Sequence, residues 1–507
     1  MNPESDTRAA NQRLIVASNR LPVVLDRGED GEWTAEPGSG GLVTAMRPVL
    51  QGRGGMWVGW PGADPQHDGT GLHRALEELS KGSGYQVHPV LLTDKEKEDF
   101  YLGFSNQVIW PLFHDFQTQC NFDPRFWETY RKVNRKFAEA LKEARGSQDF
   151  IWVHDYHLMG VAEDLETLGV EAGTGFFLHI PFPHLDLFVK LPWRFRILRS
   201  LLKYDLIGFQ TARDRSNFLQ CVDALLPQAE VGGSGKDRVR PVRLGERVVR
   251  VGVFPISIDF DEFASEAASS ETSERAARLR AEGFGRRLIL GVDRLDYSKG
   301  IPHKLKGYRL ALERYPDLRE RVTLVQLVVP SREDIPEYER LKMEVERLVG
   351  SIQGEFTRGD WVPIHYQYGH WDRTELLAHY REAAVALVTP LKDGMNLVAK
   401  EYCASSLEGE GVLILSEYAG ATAQLQGDAL LVNPFDVEGV AEAIHEAATM
   451  PREDRRRRMG SLRRTIKEFD LSWWVDAFLQ AASDEGWDDL PPVHTYQPQP
   501  PSGFFSF

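Results

Sequence analysis

The sequence of 507 residues has little cysteine and no long apolar run. Its three cysteines, Cys120, Cys221 and Cys403, lie far apart in hydrophobic or mixed surroundings. Neither a disulfide framework nor a zinc-binding spacing can be built from them, which favours a reducing compartment and predicts a cytoplasmic protein. No apolar stretch is long enough to span a membrane, and the polar start "MNPESDTRAANQR" lacks a signal-peptide core. We therefore expect neither export nor a membrane partner.

An excess of positive charge is also missing. The formal net charge is −15 at pH 7, which gives no overall attraction for nucleic acid. An anionic ligand would have to be bound by a few placed Arg and Lys side chains against the global sign. The nicotinamide-dinucleotide fingerprint is missing as well, because the glycines of "EPGSGGLVTAM" come about twenty residues after the first apolar run rather than directly after it.

What the sequence does contain is a recurring short apolar run followed by helical spacing. Runs such as "RLIVASN", "DFIWVHD", "RLILGVD" and "VALVTPL" are continuous rather than alternating, which is typical of parallel strands buried on both faces. Strand and helix alternate once before about residue 240 and again after about 285. We therefore predict an α/β fold of two doubly wound domains, 14–250 and 251–483, with a Pro-rich tail over 484–507.

In open parallel sheets, ligands bind beyond the carboxyl ends of the strands, so the residues that end each run are the site candidates. Arg20 ends the first run, and Gly40 and Gly41 precede an apolar helix, where glycine amides can approach a phosphate closely. A plain turn explains such a glycine pair equally well. Tyr101 and Trp110 lie in an aromatic stretch that suits either a core or the flat wall of a sugar site.

Two further strand ends carry His154, Asp155, His157 and His179. Three histidines and an aspartate could ligate zinc or iron, but they follow two different strands, and His154 could equally be a buried core histidine. A carboxylate and neutral imidazoles at strand ends are suited to hydrogen bonding with sugar hydroxyls. The pattern favours that interpretation, and we expect no metal and no cofactor.

The most informative stretches are "GVDRLDYSKG" and "TPLKDGMNLVAKEY". The first could be a solvated turn whose charges cancel, or an anion site presenting Arg294 and Lys299. In the second, a strand runs into a turn at Asp393 and then a helix whose first amides would point at an anion. Glu401 lies about 12 Å further along that helix, so it could hold the other end of an extended ligand. One pyrophosphate would explain both turns.

These stretches resemble trehalose-6-phosphate synthases, a family of retaining glucosyltransferases with the GT-B fold. The matching segments run in family order from about residue 14 to 436, and "RLDYSKG" and "DGMNLVAKE" are the long and specific ones. The resemblance implies two facing Rossmann-like domains with a central cleft. It also implies transfer of glucose from a nucleotide-glucose, with UDP-glucose as the first expectation, to glucose 6-phosphate, giving α,α-trehalose 6-phosphate.

The resemblance further implies a role for each matching residue. Four residues would act in catalysis, a longer set would bind the donor, four would hold glucose 6-phosphate, and two would shape the sugar pocket. The catalytic set is Arg294, Lys299, Asp393 and His179. The donor set is Gly40, Gly41, Arg294, Lys299, Trp371, Asp393, Gly394, Met395, Asn396, Leu397, Val398 and Glu401. The acceptor set is Arg20, Tyr101, Asp155 and Arg332, and the pocket-shaping pair is Trp110 and Ile180.

Trp371 is larger than the phenylalanine that the family has near the base, so the resemblance leaves the base open among uridine, guanosine and adenosine. Negative charge grows on the leaving diphosphate, and Arg294, Lys299 and the helix terminus would stabilise it without a metal. In the family, retention is attributed to front-face attack, with the departing phosphate taking the acceptor proton.

Two alternatives stay open beside this interpretation. A related GT-B synthase could use another acceptor such as glycerol 3-phosphate, although the four acceptor positions are filled as the family requires. A catalytically silent homologue could only sense sugar phosphates, although the donor residues are all present. Small-molecule substrates are the expected partners, and the sequence does not decide whether the chain forms a homo-oligomer.

Overall fold

The computed structural model describes residues 13–27, 32–38, 41–62, 69–146, 149–283, 285–332, 335–483 and 489–498. The chain divides into two compact units. The first unit comprises Met1–Ile256 and Trp473–Val493, and the second comprises Ser257–Ser472 and His494–Phe507. Within the described residues, no helix is both long enough and apolar enough to cross a bilayer.

The first unit is built on a nine-stranded sheet with a separate hairpin. Its strands are β1 (Leu14–Arg20), β2 (Val23–Arg27), β3 (Trp33–Pro37), β4 (Met56–Trp60), β5 (Gln86–Pro89), β6 (Phe150–His154), β7 (Gly173–Leu178), β8 (Leu206–Phe209), β9 (Ala229–Val231), β10 (Val239–Leu244) and β11 (Arg247–Val253). The sheet order is β5-β4-β1-β6-β7-β8-β11-β10-β9, and all neighbours from β5 to β11 are parallel. Strand β10 pairs antiparallel with both of its neighbours, and β2 and β3 form the hairpin.

Helices pack around this sheet. They are α1 (Gly41–Arg53), α2 (Gly69–Ser83), α3 (Asp94–Glu96), α4 (Trp110–Phe113), α5 (Pro124–Ala144), α6 (Val161–Thr167), α7 (Leu185–Phe188), α8 (Arg194–Leu201) and α9 (Ala212–Leu225), with a π-helix over Lys97–Ile109. Helix α5 shows why such segments form. Asp123 caps its first turn by accepting from the Arg125 N–H, Pro124 starts it, and apolar residues recur every three or four positions on its buried face.

The second unit contains a six-stranded, fully parallel sheet. Its strands are β12 (Arg287–Arg294), β13 (Val322–Val329), β14 (Ile364–Tyr368), β15 (Ala383–Val388), β16 (Val412–Ser416) and β17 (Leu430–Val432), in the order β14-β13-β12-β15-β16-β17. Its helices are α10 (Phe260–Ala267), α11 (Ser270–Glu282), α12 (Ile301–Arg314), α13 (Pro336–Phe356), α14 (Arg373–Glu382), α15 (Leu397–Ser405), α16 (Thr422–Leu425), α17 (Val437–Thr449) and α18 (Arg452–Glu468). Helix α19 (Leu471–Ala482) follows, and its residues from Trp473 onward belong to the first unit.

Both sheets contain a switch point, where the strand order reverses between two parallel strands. Taken in chain order, the second sheet reads 3-2-1-4-5-6, the order of a doubly wound dinucleotide-binding sheet, and the first sheet begins in the same way. The reversal lies between β1 and β6 in the first unit and between β12 and β15 in the second. These switch points are where ligands bind in such sheets. The predicted α/β class of parallel, helix-covered sheets is therefore confirmed.

Part of the Pro-rich C-terminal segment is held by side chains. In the first unit, the Arg238 guanidinium donates to the carbonyls of Pro491 at 2.7 Å and Pro492 at 3.0 Å. In the second unit, the Tyr496 hydroxyl donates to Glu417 at 2.7 Å. Residues 484–488 and 499–507 of the predicted tail lie outside the described residues.

Candidate active site

The turn after β12 lies at the switch point of the second unit. Arg294 is the last residue of the strand and is exposed, and a short 3₁₀ turn over Tyr297–Lys299 leads into α12. The buried Asp296 carboxylate closes this turn by accepting from the N–H of Ser298 at 3.0 Å and from its hydroxyl at 2.8 Å. The strand thus ends in a rigid turn that presents two cationic residues, Arg294 and Lys299.

The loop after β15 lies on the other side of the same switch point. It ends at Asn396, whose φ of 77° is in the left-handed region that asparagine tolerates better than most residues. The Asn396 side chain accepts from the Ala399 N–H at 3.4 Å and donates to Asp393 Oδ2 at 3.1 Å. The N–H groups of Leu397 and Val398, in the first turn of α15, have no partner within the helix by its geometry. They form a partly positive end that suits an anion.

The structure brings these two turns together. Lys299 Nζ lies 2.5 Å from Asp393 Oδ2, and both side chains are largely buried. The Leu391 N–H donates to the Ser298 carbonyl at 2.7 Å. Gly300, with a φ of 66°, completes the contact, because a Cβ at this position would stand 2.8 Å from the Thr389 carbonyl oxygen. The proximity that a shared pyrophosphate would require is therefore present.

A third loop supports the Asp393 turn, and it contains the family-matching segment "LSEYAGA", for which no role was predicted. The Gly420 N–H donates to the Asp393 carbonyl at 3.2 Å, and the Ala421 N–H donates to the Met395 carbonyl at 2.9 Å. A Cβ on Gly420 would lie 1.8 Å from the Gly394 oxygen, so only glycine fits. The signal available in the sequence was a glycine shortly after the apolar run "GVLILSEY".

Further along α15, Glu401 is half-buried and accepts a hydrogen bond from the Tyr380 hydroxyl at 2.8 Å. Burial raises the pKa of Glu401 above its usual value. The preceding Lys400 is buried and donates to Gln424 at 2.9 Å, and burial lowers its pKa to about 7. Glu401 is therefore anchored by the neighbouring Tyr380 hydroxyl.

Trp371 follows β14 in the same unit. Its ring stacks on His379 with centroids 4.0 Å apart, and its indole N–H donates to Gln367 at 2.6 Å. It lines a cavity of about 520 Å³ between the sheet and helices α11 and α14. The apolar lining of this cavity includes Leu279, Leu288 and Val325. A planar group could occupy it beside the indole.

Arg332 also lies in the second unit, whereas the other predicted acceptor residues lie in the first. Its Nη1 is 2.9 Å from Asp296 Oδ2 and also donates to the Tyr338 hydroxyl. Its φ of 50° is unusual for a residue with a side chain. Arg332 is thus fixed to the same turn that carries Arg294.

In the first unit, Arg20 ends β1 at the switch point. Its guanidinium lies over the ring of Trp60, 4.7 Å from the centroid, in a cation–π contact. The Trp60 ring is 6.3 Å from that of Tyr101, which stacks on His157 at 5.9 Å with an interplanar angle of 16°. Tyr101 lies on the π-helix, a geometry that occurs often at functional sites. A cation and an aromatic wall therefore meet at this strand end.

Asp155 directly follows β6 with a φ of 74°, a strained conformation for aspartate. Its Oδ1 accepts from the His179 N–H at 3.2 Å, which ties the ends of β6 and β7 together. His154 Nδ1 lies 3.0 Å from His179 Nε2. Burial lowers the pKa of His179 to about 3 and that of His154 well below its usual value, so both rings are neutral at neutral pH.

The remaining predicted residues fall into two groups. Trp110 and Ile180 are buried near these strand ends, with the Trp110 ring 5.9 Å from that of Tyr156. Gly41 is the first residue of α1, and Gly40 lies outside the described residues. Across the described ranges, no group of three or more His, Cys, Asp or Glu side chains is placed to hold a metal ion.

Two Rossmann-like units, one with paired cations and a helix N-terminus at its switch point and the other with an arginine and an aromatic wall, define a glycosyltransferase that takes an activated sugar. The chain belongs to glycosyltransferase family 20, whose family model matches residues 12–484. It is therefore an enzyme of that class.

Curated relatives cover nearly the whole chain. A trehalose-6-phosphate synthase of Mycobacterium sp. (strain JLS) is 41% identical over 491 residues, covering 96% of this chain and 99% of the relative. Another from Mycobacterium tuberculosis (strain ATCC 25618 / H37Rv) is 42% identical over 471 residues, covering 92% of this chain and 94% of the relative.

Solved structures agree with this assignment. An alpha,alpha-trehalose-phosphate synthase (UDP-forming) from Burkholderia xenovorans, in complex with glucose-6-phosphate, superimposes with a TM-score of 0.82 at 34% identity, covering 93% of this chain and 99% of that one. An E. coli structure bound with UDP-2-fluoro glucose gives a TM-score of 0.82 at 34% identity, with coverages of 95% and 100%. The predicted GT-B fold class is confirmed.

Proposed function

We propose that this enzyme transfers glucose from UDP-glucose to glucose 6-phosphate with retention of configuration, releasing UDP and α,α-trehalose 6-phosphate. The observation that carries the proposal is the junction of the two turns in the second unit, where Lys299 meets Asp393 beside the N-terminus of α15. The names of the relatives and the ligands of the solved structures support the same substrates.

On the donor side, the diphosphate binds Arg294, Lys299 and the first amides of α15. Asp393 and the backbone from Gly394 onward hold the glucose hydroxyls. The other residues of the proposed donor site bind the nucleoside part of the donor. Glu401 holds the ribose, Trp371 lies beside the base, and Met395, Asn396, Leu397 and Val398 line the nucleotide. The match to the family assigns Gly40 and Gly41 to the donor as well.

On the acceptor side, the match to the family assigns Arg20 and Arg332 to glucose 6-phosphate. Both are placed by other side chains, Arg20 by the Trp60 ring and Arg332 by the Asp296 carboxylate. Tyr101 and Asp155 contact the acceptor sugar, and Trp110 and Ile180 shape its pocket.

In the reaction, the bond between the donor C1 and the diphosphate oxygen breaks as the acceptor oxygen bonds to C1 from the same face. The leaving phosphate oxygen takes the acceptor hydroxyl proton. Negative charge therefore grows on the leaving diphosphate, where Arg294, Lys299 and the helix terminus stabilise it. His179, which is neutral because partial burial lowers its pKa to about 3, contacts the donor sugar by hydrogen bonding. No step requires a metal ion.

The experiment that tests this proposal measures nucleoside diphosphate release with glucose 6-phosphate as the acceptor, supplying UDP-, GDP- or ADP-glucose in turn, with EDTA present. We expect turnover with UDP-glucose and a product that trehalose-6-phosphate phosphatase converts to trehalose. Turnover only with GDP- or ADP-glucose would show that the donor carries a base other than uracil. Turnover only with glycerol 3-phosphate as acceptor would overturn the proposal. So would the absence of nucleoside diphosphate release from folded protein with every combination of donor and acceptor.

A further inference from the structure

The imidazole of His154 is a buried titratable group that the proposed reaction leaves without a role. It ends β6 and is 0% exposed. Its ring lies among those of Trp152, Trp474 and Phe177, with centroid separations of 4.8, 6.3 and 6.4 Å. Its Nδ1 faces His179 Nε2 at 3.0 Å, and its Nε2 has no hydrogen-bond partner among the described residues.

The two rings constrain each other because each neutral imidazole carries one N–H. Only one proton can lie between His154 Nδ1 and His179 Nε2. If His179 donates, the proton of His154 must sit on its buried Nε2. If His154 donates, its Nε2 keeps a lone pair, and the proton of His179 must sit on Nδ1.

The surroundings of His154 Nε2 decide between these arrangements. The indole nitrogens of Trp152 and Trp474 are also buried without a hydrogen-bond partner in the described part of the chain. An indole nitrogen can only donate. A protonated His154 Nε2 would add a third buried donor without a partner to this aromatic pocket, whereas a lone pair there adds none. Orphaned buried N–H groups are also rarer than under-satisfied acceptors.

We propose that His154 is a positioning residue that donates from Nδ1 to His179 Nε2 and so fixes His179 as its Nδ1–H tautomer. His179 is half-buried at the end of β7, and its backbone N–H is held by Asp155. With Nε2 occupied, Nδ1 is the ring nitrogen that remains for the substrate. It presents a hydrogen-bond donor to a sugar oxygen, and it cannot act as a general base. The contact with a sugar rests on the proposed function, whereas the tautomer does not.

The direct test is a long-range ¹H–¹⁵N correlation spectrum of the full-length protein labelled with ¹⁵N-histidine, which distinguishes protonated from bare ring nitrogens. The signals of the pair are assigned by their loss in His154→Asn and His179→Gln. We expect His179 with Nδ1 protonated and Nε2 bare, and His154 also protonated at Nδ1. A His179 protonated at Nε2, or at both nitrogens, at neutral pH would overturn the proposal.

The positioning role has a second readout. In His154→Leu the constraint is removed, and we expect His179 to shift to the Nε2–H tautomer and kcat/KM for the donor to fall roughly tenfold, the effect of one lost neutral hydrogen bond. In His154→Asn the amide N–H can stand where Nδ1 stood, and we expect recovery of both the tautomer and most of the activity. A His154→Leu enzyme that keeps the Nδ1–H tautomer would overturn the role.

Two controls keep this test separate from other failures. If His154→Leu does not fold, the wild-type spectrum and His154→Asn still decide the tautomer. The spectrum needs no substrate, so an inactive protein with the expected tautomer would count against the proposed function and not against this inference.

Discussion

Replacing Arg294 with alanine separates the stabilisation of charge from the stability of the fold. Arg294 is exposed at the end of β12, and substitutions of exposed residues usually change the free energy of unfolding by less than about 0.5 kcal/mol. Removing one group that stabilises charge growing in a transition state typically costs about 2.7–4 kcal/mol, or roughly 100- to 1,000-fold in kcat. We therefore expect Arg294→Ala to lower kcat roughly 100- to 1,000-fold, while the free energy of unfolding of the second unit stays unchanged.

The matched control is Lys304, a cation on the helix that begins after the same turn. Its side chain is 0% exposed and pairs with Asp293, which is 2% exposed. Lys304→Met would leave the Asp293 carboxylate buried with Gln326, which donates to it at 2.9 Å. Breaking a buried ion pair costs about 3–5 kcal/mol. We expect Lys304→Met to be strongly destabilised and, where still folded, to turn over at close to the wild-type rate.

Stability should be read from amide hydrogen exchange in β12 and β13, because a chain of two units does not unfold in one step. Turnover is read from UDP release at saturating substrates. If Arg294→Ala kept more than about a third of the wild-type kcat, the proposed charge stabilisation would be wrong. We expect Lys304→Met to lose protection from amide exchange in β12 and β13. If Arg294→Ala lost protection in the same way, its loss of activity would have a structural cause instead.

Three further changes test other parts of the molecule. Arg20→Ala should raise the KM for glucose 6-phosphate roughly tenfold or more, with little change for the donor, and an effect confined to the donor would contradict its placement. As pH falls from about 7.5 to 5, the unfolded state protonates histidine near 6.5 while His179, with a native pKa of about 3, stays neutral, so His179 alone lowers the free energy of unfolding by about 2 kcal/mol. Hydrogen exchange in β7 measures this fall, and His179→Gln should remove the part of the pH dependence that His179 contributes. Gly420→Ala should raise the donor KM, because the new methyl would stand 1.8 Å from the Gly394 oxygen, whereas Gly427→Ala, with nothing within 4 Å, should not.

Much of the fold and part of the candidate site could be predicted because the relevant signals are local. Continuous apolar runs indicate buried parallel strands, and the polar residue that ends each run falls at the edge where ligands bind. Arg20, Asp155, Arg294 and Asp393 were found in this way, and each lies next to a switch point. The Asp393-Gly394 turn predicted a helix beginning near Met395, and α15 begins two residues later, at Leu397.

The sequence did not show the contacts between distant segments, because such contacts produce no periodic pattern in the residues near them. Lys299 and Asp393 are 94 residues apart, and the contact of Gly420 with Gly394 depends on how two loops pack. The bond between the two histidine rings joins different strands, and the sequence left His154 open as a core residue or a ligand. Family order supplied residue roles, but it could not supply the partner that holds each side chain.

The two carboxylates of "GVDRLDYSKG" show how such contacts change an interpretation. By composition alone, two acids and two bases in one turn could simply neutralise each other at the surface. In the structure both acids are buried and have partners elsewhere. Asp293 pairs with Lys304, and Asp296 pairs with Arg332. The Asp296 carboxylate also accepts from the N–H and the hydroxyl of Ser298. Neither carboxylate of the turn is paired with a cation of the turn in these contacts.

One cation of this turn, Lys299, has its carboxylate partner in a different loop. Lys299 reaches across to Asp393 in the loop after β15, and Arg294 is exposed at the strand end. The chain has a net charge of −15, yet the Asp296 carboxylate at this switch point holds the turn by accepting from the N–H and the hydroxyl of Ser298. A rigid turn presenting positive charge beside a helix N-terminus is preorganised for an anion before the anion arrives. This arrangement, rather than the count of charges, is why the turn favours a diphosphate site over a neutralised surface.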